Sequence, residues 1–273
     1  MDLIDFDGLF DEKLTEYMKR NAGKYTEKQW EAVIPRLYQK FGDTYVSRAK
    51  NTPKGYYAAM TDEALTASFL RHLREGVPAD DFLTGELERR GCTEALIALL
   101  GEKEPEILTA AVRMIGADER GLCGYAKLLE GDLEEELLEE IIEQFKNNAD
   151  AAKPFALDLL ARGIREELML EVLSRCKERD EAVFEALLRA FKESGEEMPV
   201  RANYLAAYGD ARALGALLDV VAREDINFLE YRELKFAIEA LGGEYEEIRD
   251  FSGDAVYEAV SSQPPVEITE KKE

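Results

Sequence analysis

The chain has 273 residues and carries 58 acidic against 35 basic side chains, a formal net charge of −23. Proteins that bind the phosphate backbone of nucleic acids need clustered cations, and helices that lie on anionic membranes need them too, so the sequence disfavours both classes. Apolar residues make up 46% and aromatic residues 9% of the sequence, which is enough apolar material for a folded core.

Neither a targeting segment nor a cysteine framework is evident. The first eleven residues are acidic and lack the basic and apolar parts of a secretory signal, and no run of ~18 apolar residues predicts a membrane span. We therefore expect a cytoplasmic protein. The cysteines Cys92, Cys123 and Cys176 form no Cys-x-x-Cys pair, which argues against a disulfide framework or a zinc site, and all three are predicted to be small buried residues.

Charge and aromatic content divide the sequence near residue 75. Residues 1–75 hold 12 acidic and 12 basic side chains, whereas residues 76–273 hold 46 acidic and 23 basic ones. The first 75 residues also contain 11 of the 25 aromatic side chains. A neutral, aromatic region is therefore expected to precede an acidic one.

Residues 1–60 are predicted to form an aromatic-rich helical module. Apolar residues recur at three- and four-residue spacing over residues 10–18 and again over residues 30–41, which indicates two amphipathic helices. Pro35 lies within the second helix and predicts a kink or a break. The sequence at residues 52–55 predicts a turn.

From Thr61 the sequence predicts helices alone, because segments with helical periodicity follow one another and none alternates like a strand. A six-residue pattern that ends in two bulky apolar residues recurs in steps of 28 to 31 residues. A second amphipathic segment follows each copy, so residues 61–245 are predicted to form six helical pairs. The copies span residues 65–70, 95–100, 124–129, 155–160, 183–188 and 213–218.

The second segments begin and end like short helices. Pro105 stands where a first helical turn begins, and a glycine follows the apolar stripe at Gly116, Gly209 and Gly242. After the pairs, residues 246–260 are predicted to form a closing helix, and residues 261–273 a disordered tail. The residues predicted to cover the last pair are Phe251, Ala255, Val256 and Val260.

At these second segments the sequence resembles HEAT-like repeat proteins of the armadillo-like superfamily, in particular the short form of roughly thirty residues seen in phycobilisome-lyase-type proteins. Their second helix typically reads Asp-Pro-x-Val-Arg-x-x-Ala-x-x-Ala-Leu-Gly. Glu104-Pro105-Glu106-Ile107 opens one copy, Val200-Arg201 lies in another, and Ala240-Leu241-Gly242 closes a third. Leu108 and Leu234 stand where the family places Arg. The resemblance covers about residues 61–245 and implies an all-α, right-handed α-α superhelix, a HEAT-like solenoid, with residues 1–60 as an N-terminal helical cap.

The resemblance places the second helices on the inner, concave face of the solenoid. The side of these helices that faces away from the core carries a set of acidic residues. Arg113 lies at a corresponding position of its own second helix. We predict that this set lines an acidic groove for a Lys/Arg-rich protein or peptide. The alternative is a solvated face, because glutamate is a common residue on exposed helices. The acidic residues are Glu136, Glu139, Glu140, Glu143, Glu167, Glu171 and Glu239.

The aromatic module has two interpretations. In the first, Trp30 and its neighbours at helical spacing form the core of a cap that covers the apolar face of the first helical pair. In the second, Trp30 and the loop that carries Tyr57 form an exposed binding patch, because aromatic residues favour interfaces. Substitution of Tyr57 separates a loss of stability from a loss of binding.

The sequence predicts no metal site, no cofactor and no enzyme activity. His72 is the only histidine, so no HExxH helix or multi-histidine site can form, and no glycine-rich phosphate loop is present. His72 itself is predicted to be a partly packed residue near the end of a helix. The leading hypothesis is a non-enzymatic protein-interaction scaffold or adaptor. The alternative, implied by the phycobilin lyases that share these repeats, is an enzyme or chromophore-lyase-like helper that binds a small ligand in the solenoid groove.

Overall fold

The computed structural model describes residues 3–261, and within this range all regular secondary structure is helical, as predicted. One isolated antiparallel bridge joins Val46 and Asn51. The predicted disordered tail at residues 261–273 lies outside the described residues, apart from the backbone of Ser261. The α-helices are α1 Phe6–Arg20, α2 Glu27–Gly42, α3 Pro53–Ala58, α4 Asp62–Glu75, α5 Asp81–Arg90, α6 Thr93–Ala98, α7 Pro105–Ile115, α8 Glu119–Leu129, α9 Glu135–Asn147, α10 Ala149–Ala161, α11 Glu166–Ser174, α12 Glu181–Lys192, α13 Met198–Tyr208, α14 Leu214–Val221, α15 Phe228–Ala240 and α16 Ala255–Ser261, with 3₁₀ turns at Leu99–Gly101 and Ala211–Ala213.

The chain divides into two compact units, Met1–Gln144 and Phe145–Glu273. The N-terminal unit contains α1 to α8 and most of α9. The C-terminal unit contains the last residues of α9 and α10 to α16. The division therefore falls inside a helix of the third predicted pair rather than between two pairs.

Side-chain caps set the starts of the first three helices. Asp5 accepts a hydrogen bond at 2.7 Å from the backbone N–H three residues on, and Thr26 forms a capping box with Gln29. Thr52 accepts a corresponding bond at 3.0 Å. These side chains satisfy donors that a helix end leaves without partners. The segment at residues 52–55, predicted to be a turn, is therefore the start of the short helix α3.

Helix α2 continues through Pro35, so the break predicted there is absent. A proline inside a helix costs ~3 kcal/mol, because it removes one hydrogen bond and clashes with the preceding turn. Aromatic contacts with α1 anchor α2 on both sides of the proline. Trp30 packs edge-on against Tyr17 with ring centroids 6.2 Å apart, and Phe41 packs against Phe10 at 5.6 Å. Tertiary packing thus keeps the helix continuous.

The three helices of the aromatic module share a core with α5. Phe6, which is fully buried, meets the rings of Tyr56 and Tyr57 edge-on at 5.7 Å each. Tyr38 of α2 stacks on Phe82 of α5 at 4.8 Å. The module is therefore joined to the helices that follow it by the same rings that form its own core.

Each copy of the six-residue pattern lies in a first helix or runs between it and an adjoining 3₁₀ turn, and a second helix follows each copy. In the N-terminal unit, α4 contacts α6, and α6 contacts α8. In the C-terminal unit, α10 contacts both α11 and α12, while α11 contacts α13, and α13 contacts α15. Within these parts of each unit, a helix therefore packs on the corresponding helix of the next pair. The first helices are α4, α6, α8, α10, α12 and α14, and the second helices are α5, α7, α9, α11, α13 and α15.

Two glycines end second helices where the sequence predicted. Gly116 follows α7 with φ +62°, and Gly209 follows α13 with φ +75°. L side chains rarely adopt this conformation, whereas glycine adopts it at no steric cost. The helix lengths in these pairs are therefore set locally.

Arginine and acidic side chains connect neighbouring pairs at the starts of first helices. Asp118 caps α8 and binds Arg120 at 2.7 Å, and the same guanidinium reaches Glu94 of α6 at 3.5 Å. Asp210 and Arg212 repeat the arrangement, with Arg212 reaching the glutamate that opens α12 at 2.8 Å. The sequence analysis did not predict these contacts, because they join residues about one repeat apart.

The final helix begins at Ala255 and not near residue 246, so its predicted start was wrong. Asp254 explains the start, because its Oδ1 accepts the backbone N–H groups two and three residues on at 2.9 and 3.1 Å. Phe251 and Tyr257 pack against Phe228 of α15 at 5.5 and 5.1 Å. The other residues predicted to cover the last pair are exposed: Ala255, Val256 and Val260.

Two further expectations need correction. His72 is fully buried rather than partly packed, and its Nδ1 donates to the carbonyl of Pro78 at 2.8 Å. Cys92 and Cys176 are buried as predicted, but Cys123 is exposed on α8. Cys123 and the buried Leu122 are neighbours in the helix, and successive helical side chains point in different directions.

Candidate functional site

The acidic residues predicted on α9 include two that pair with Arg113 and three that are exposed, and Glu136 belongs to both groups. Arg113 of α7 donates from Nε to Glu140 at 2.8 Å and from Nη2 to Glu136 at 3.0 Å. Gln144 also donates to Glu140, at 2.7 Å. Arg113 is therefore the counterion of two carboxylates that were predicted to line the groove.

Glu136, Glu139 and Glu143 form an exposed row along α9, which we call the α9 acidic stripe. Their spacing of three and four residues puts them on one side of the helix, opposite the fully buried Ile141. Glu139 forms no ion pair or side-chain hydrogen bond within residues 3–261. Like charges at this spacing destabilise a helix by ~0.2–0.5 kcal/mol per pair, so the stripe costs stability.

In the C-terminal unit, Arg201 of α13 holds the predicted groove residue Glu167 of α11. Its Nε donates to Glu167 at 2.8 Å, its Nη2 lies 3.1 Å from Glu166, and its Nη1 donates to the carbonyl of Ala190 at 2.9 Å. Only 12% of the Arg201 side chain is exposed. This guanidinium therefore joins three helices and leaves Glu167 already paired.

Glu171 of α11 is also paired within the chain. Lys146 lies 3.2 Å from its carboxylate, and both side chains are largely covered. Tyr204 of α13 stands near these acids, and burial, Glu167 and Glu171 raise the pKa of its phenol to about 12. At neutral pH Tyr204 is therefore a neutral hydroxyl that can donate a hydrogen bond to an acceptor on this face.

The structure brings the predicted acidic residues together in part. Glu139 and Glu143 share an exposed face of α9 with Glu136, and Glu167 and Glu171 share α11. Glu239 stands alone on α15, exposed, three residues after the exposed ring of Phe236. In-chain cations pair with both predicted acids of α11. Arg113 pairs with Glu136 of the α9 acidic stripe, but the stripe keeps three carboxylates on one exposed helix face and is the strongest acidic feature among the predicted residues.

Trp30 and Tyr57 belong to different aromatic clusters. The Tyr57 ring is 0% exposed and packs on Phe6, so it offers no surface to a partner. Trp30 is half-buried between Tyr17 and Tyr25, with ring centroids at 6.2 and 4.9 Å. The position of Tyr57 agrees with the interpretation as cap core.

A buried carboxylate that the sequence analysis missed, Asp80, connects the aromatic module to α5. Tyr57 donates its hydroxyl to Oδ2 at 2.8 Å, and the N–H groups of Phe82 and Leu83 donate to Oδ1 at 3.0 and 3.1 Å. Burial raises the pKa of Asp80 to about 6 in spite of these donors. The available signal was an aspartate two residues before an apolar pair, which is typical of a helix start. Its burial could not be read from that signal.

A second phenol and carboxylate line an open pocket of about 480 Å³ between α1 and α2. Tyr38 donates to Asp7 at 2.6 Å, and burial raises the pKa of Asp7. Asp11 and Asp81 also line the pocket. These groups can accept hydrogen bonds from a small cation, but within residues 3–261 no group of three or more His, Cys, Asp or Glu side chains is arranged to hold a metal ion.

Among the helices formed by residues 3–261, none combines the length and the apolar character that a membrane crossing requires. Comparison with known proteins found no matching protein-family model and no matching curated sequence.

Proposed function

We propose that the chain is a HEAT-like solenoid, a right-handed superhelix of six helical pairs, and that it acts as a non-enzymatic protein-interaction scaffold. Three observations support the fold: the regular order of first and second helices, the contacts of α6 with α4 and α8 and of α10 with α12, and the contacts along α11, α13 and α15. Stacked pairs of this kind create extended surfaces that suit the recognition of another protein.

Residues 1–60 fit the role of an N-terminal cap. A terminal repeat must have its apolar face covered, and the rings of Phe6, Tyr38 and Tyr57 pack towards α5. The Tyr57 to Asp80 hydrogen bond fixes the same contact. In this role the module supplies stability rather than recognition.

The single observation that carries the proposed partner class is the α9 acidic stripe. Exposed carboxylates at three- and four-residue spacing repel one another, and a Lys/Arg-rich segment would relieve the repulsion around Glu139 on binding. In-chain cations cover the acids of α11 but leave Glu139 without a partner among the described residues. We therefore place the contact with a basic partner on α9.

Binding of a labelled alternating Lys-Ser peptide to the full chain tests this proposal. The Glu139→Gln/Glu143→Gln variant is expected to weaken binding about tenfold at low salt, because each lost surface charge contributes on the order of 1 kcal/mol at most. The matched control is Glu12→Gln/Glu16→Gln, which removes two exposed charges at the same spacing on α1. Equal losses in the two variants, or binding that does not weaken as salt is raised, would contradict the proposal.

The alternative of a chromophore-lyase-like helper gives a different result in native mass spectrometry. A scaffold is expected to show the mass of the polypeptide alone. A small molecule that stays bound to the native chain and is released on denaturation would favour the helper and count against the scaffold.

A further inference from the structure

A groove of about 390 Å³ lies between the first helices α10 and α12 of the C-terminal unit. One wall is a stripe of α12 that runs from Ala182 to Glu193, and at 1.5 Å per residue this stripe is about 16 Å long, or three helical turns. The end of α10 forms the opposite wall. The groove is therefore an elongated trough and not a round cavity. The residues of the opposite wall are Leu157, Leu160 and Ala161.

The floor of this groove is apolar and contains small side chains. Leu170 and Ala190 are buried beneath it, whereas Leu157 and Leu160 are only half-buried, so part of their apolar surface remains in water. Alanine at position 186 adds no atoms beyond Cβ, which lets another chain approach the helix closely. Exposed apolar surface framed by polar residues is typical of an interaction site.

The rim of the groove carries charged side chains that form no ion pair and no side-chain hydrogen bond within residues 3–261. Glu185, Arg189 and Glu193 follow one another at four-residue spacing on α12, a spacing at which opposite charges ordinarily pair. Arg71 and Glu75 do pair in this way on α4, at 2.6 Å. Among residues 3–261, by contrast, no ion pair or side-chain hydrogen bond involves any of the three rim residues. Their charged groups remain available to a partner.

We propose that this groove binds an amphipathic helix of another protein, about three turns long, with apolar anchors towards the groove and Lys or Arg beside its apolar stripe. The length of the trough fits the helix, and its half-buried leucines fit anchors at i, i+3, i+4 and i+7. Glu185 and Glu193 outnumber Arg189, so the rim favours a basic partner. A second copy of this chain, with net charge −23, is disfavoured by the same argument. The groove uses first helices and is independent of the α9 acidic stripe.

A labelled 14-residue Leu/Lys peptide with leucines at helical spacing is the probe for this proposal, titrated against the full chain. Ala161→Arg and Ala182→Arg each place a long cationic side chain at one end of the groove, and each is expected to weaken binding about tenfold. Both alanines are exposed, so the fold tolerates the change. The matched control is Ala240→Arg, which alters the exposed last residue of α15 just as Ala161→Arg alters that of α10, and which is expected to change the affinity less than twofold.

Three results would overturn the proposal. If a Leu/Glu peptide of the same pattern bound as tightly as the Leu/Lys probe, the acidic rim would have no role in binding. Equal affinity for a Leu/Lys peptide interrupted by proline would remove the requirement for a helix. A dimer of the chain that dissociates on Ala161→Arg would make a second copy the occupant. The Glu139→Gln/Glu143→Gln variant should keep its affinity for the probe, so failure of this proposal and failure of the acidic stripe are distinguishable.

Discussion

The aromatic module and the helical pairs are held together by different polar contacts. In the module the contacts are buried: Tyr57 donates to Asp80, which is 1% exposed. Between the first helices of consecutive pairs, the polar contacts are open to water, and the side chains of Arg120 and Arg212 are 51% and 53% exposed. Breaking a buried hydrogen bond leaves a desolvated group without a partner, whereas exposed ion pairs contribute little and are screened by salt. The module should therefore respond strongly to single substitutions and to pH, and the pairs weakly.

The largest expected effect is that of Tyr57→Ala. This change removes a fully buried ring and the donor to Asp80, and we expect the free energy of unfolding of the N-terminal unit to fall by about 3–5 kcal/mol. Urea denaturation, combined with hydrogen exchange of the backbone amides of α3 and α5, measures this fall in the free energy of unfolding. The control Tyr45→Ala alters a ring that is 63% exposed and should stay within about 0.5 kcal/mol. Similar losses in both variants would place Tyr57 outside the core.

The next effect is a pH dependence that comes from Asp80. The folded chain keeps the Asp80 proton up to its pKa of about 6, whereas the ordinary pKa of an exposed aspartate is 3.8, so between these values the folded chain binds more protons than the unfolded chain. The contribution of Asp80 to the free energy of unfolding therefore rises as pH falls from about 6 to 4, by at most about 1.4 kcal/mol per pH unit.

Asp80→Asn isolates this contribution, because the amide keeps an acceptor but has no proton to exchange. The difference in unfolding free energy between the parent chain and Asp80→Asn should grow in favour of the parent as pH falls through this window. If the unfolding free energies of the two proteins changed in parallel with pH, Asp80 would not titrate within this window.

A smaller effect is expected at the starts of first helices. Asp118→Ala removes the cap of α8 together with its bond to Arg120, and thermal unfolding should show a loss of about 1 kcal/mol. Asp118→Asn retains a capping oxygen but loses the charge. If the cap dominates over the exposed ion pair, the asparagine variant keeps most of the stability. An equal loss in both variants would mean that the ion pair matters more than its exposure implies.

The smallest effect concerns the α9 acidic stripe. Glu139→Gln removes one member of two like-charge pairs, with Glu136 and Glu143, and should raise stability by about 0.2–0.5 kcal/mol at low salt. The gain should vanish as salt is raised, because both pairs are exposed. A stabilisation that persists at high salt would have to come from helix propensity or packing instead of charge.

Sequence reasoning succeeded where the signal is local. The six-residue pattern, Pro105 and the glycines after α7 and α13 placed these helices and their ends correctly, because periodicity, capping and left-handed backbone depend on neighbouring residues. It left a break open at Pro35 and misplaced the start of α16. The first is decided by packing of α2 on α1, and the second by a cap at Asp254 that the apolar pattern did not reveal.

For the candidate site, too, the sequence predicted what depends on one helix and missed what depends on contacts between helices. The acidic residues on α9 and α11 are where helical spacing placed them, on exposed or half-exposed sides of second helices. Their counterions come from other helices: Arg113 from α7, Lys146 from the end of α9 and Arg201 from α13. No spacing rule within one helix predicts such contacts, so the sequence overstated how much acidic charge remains free.

By itself, the sequence determined that this protein is helical, where several of its helices begin or end, and that its acidic charge follows a neutral aromatic module. These properties follow from interactions between residues close in the chain. Only the tertiary structure decided that Tyr57 and Asp80 are buried together, that in-chain cations neutralise part of the predicted groove, and that a trough opens between α10 and α12. Those features require residues about one repeat apart to meet, and that depends on how the helices pack.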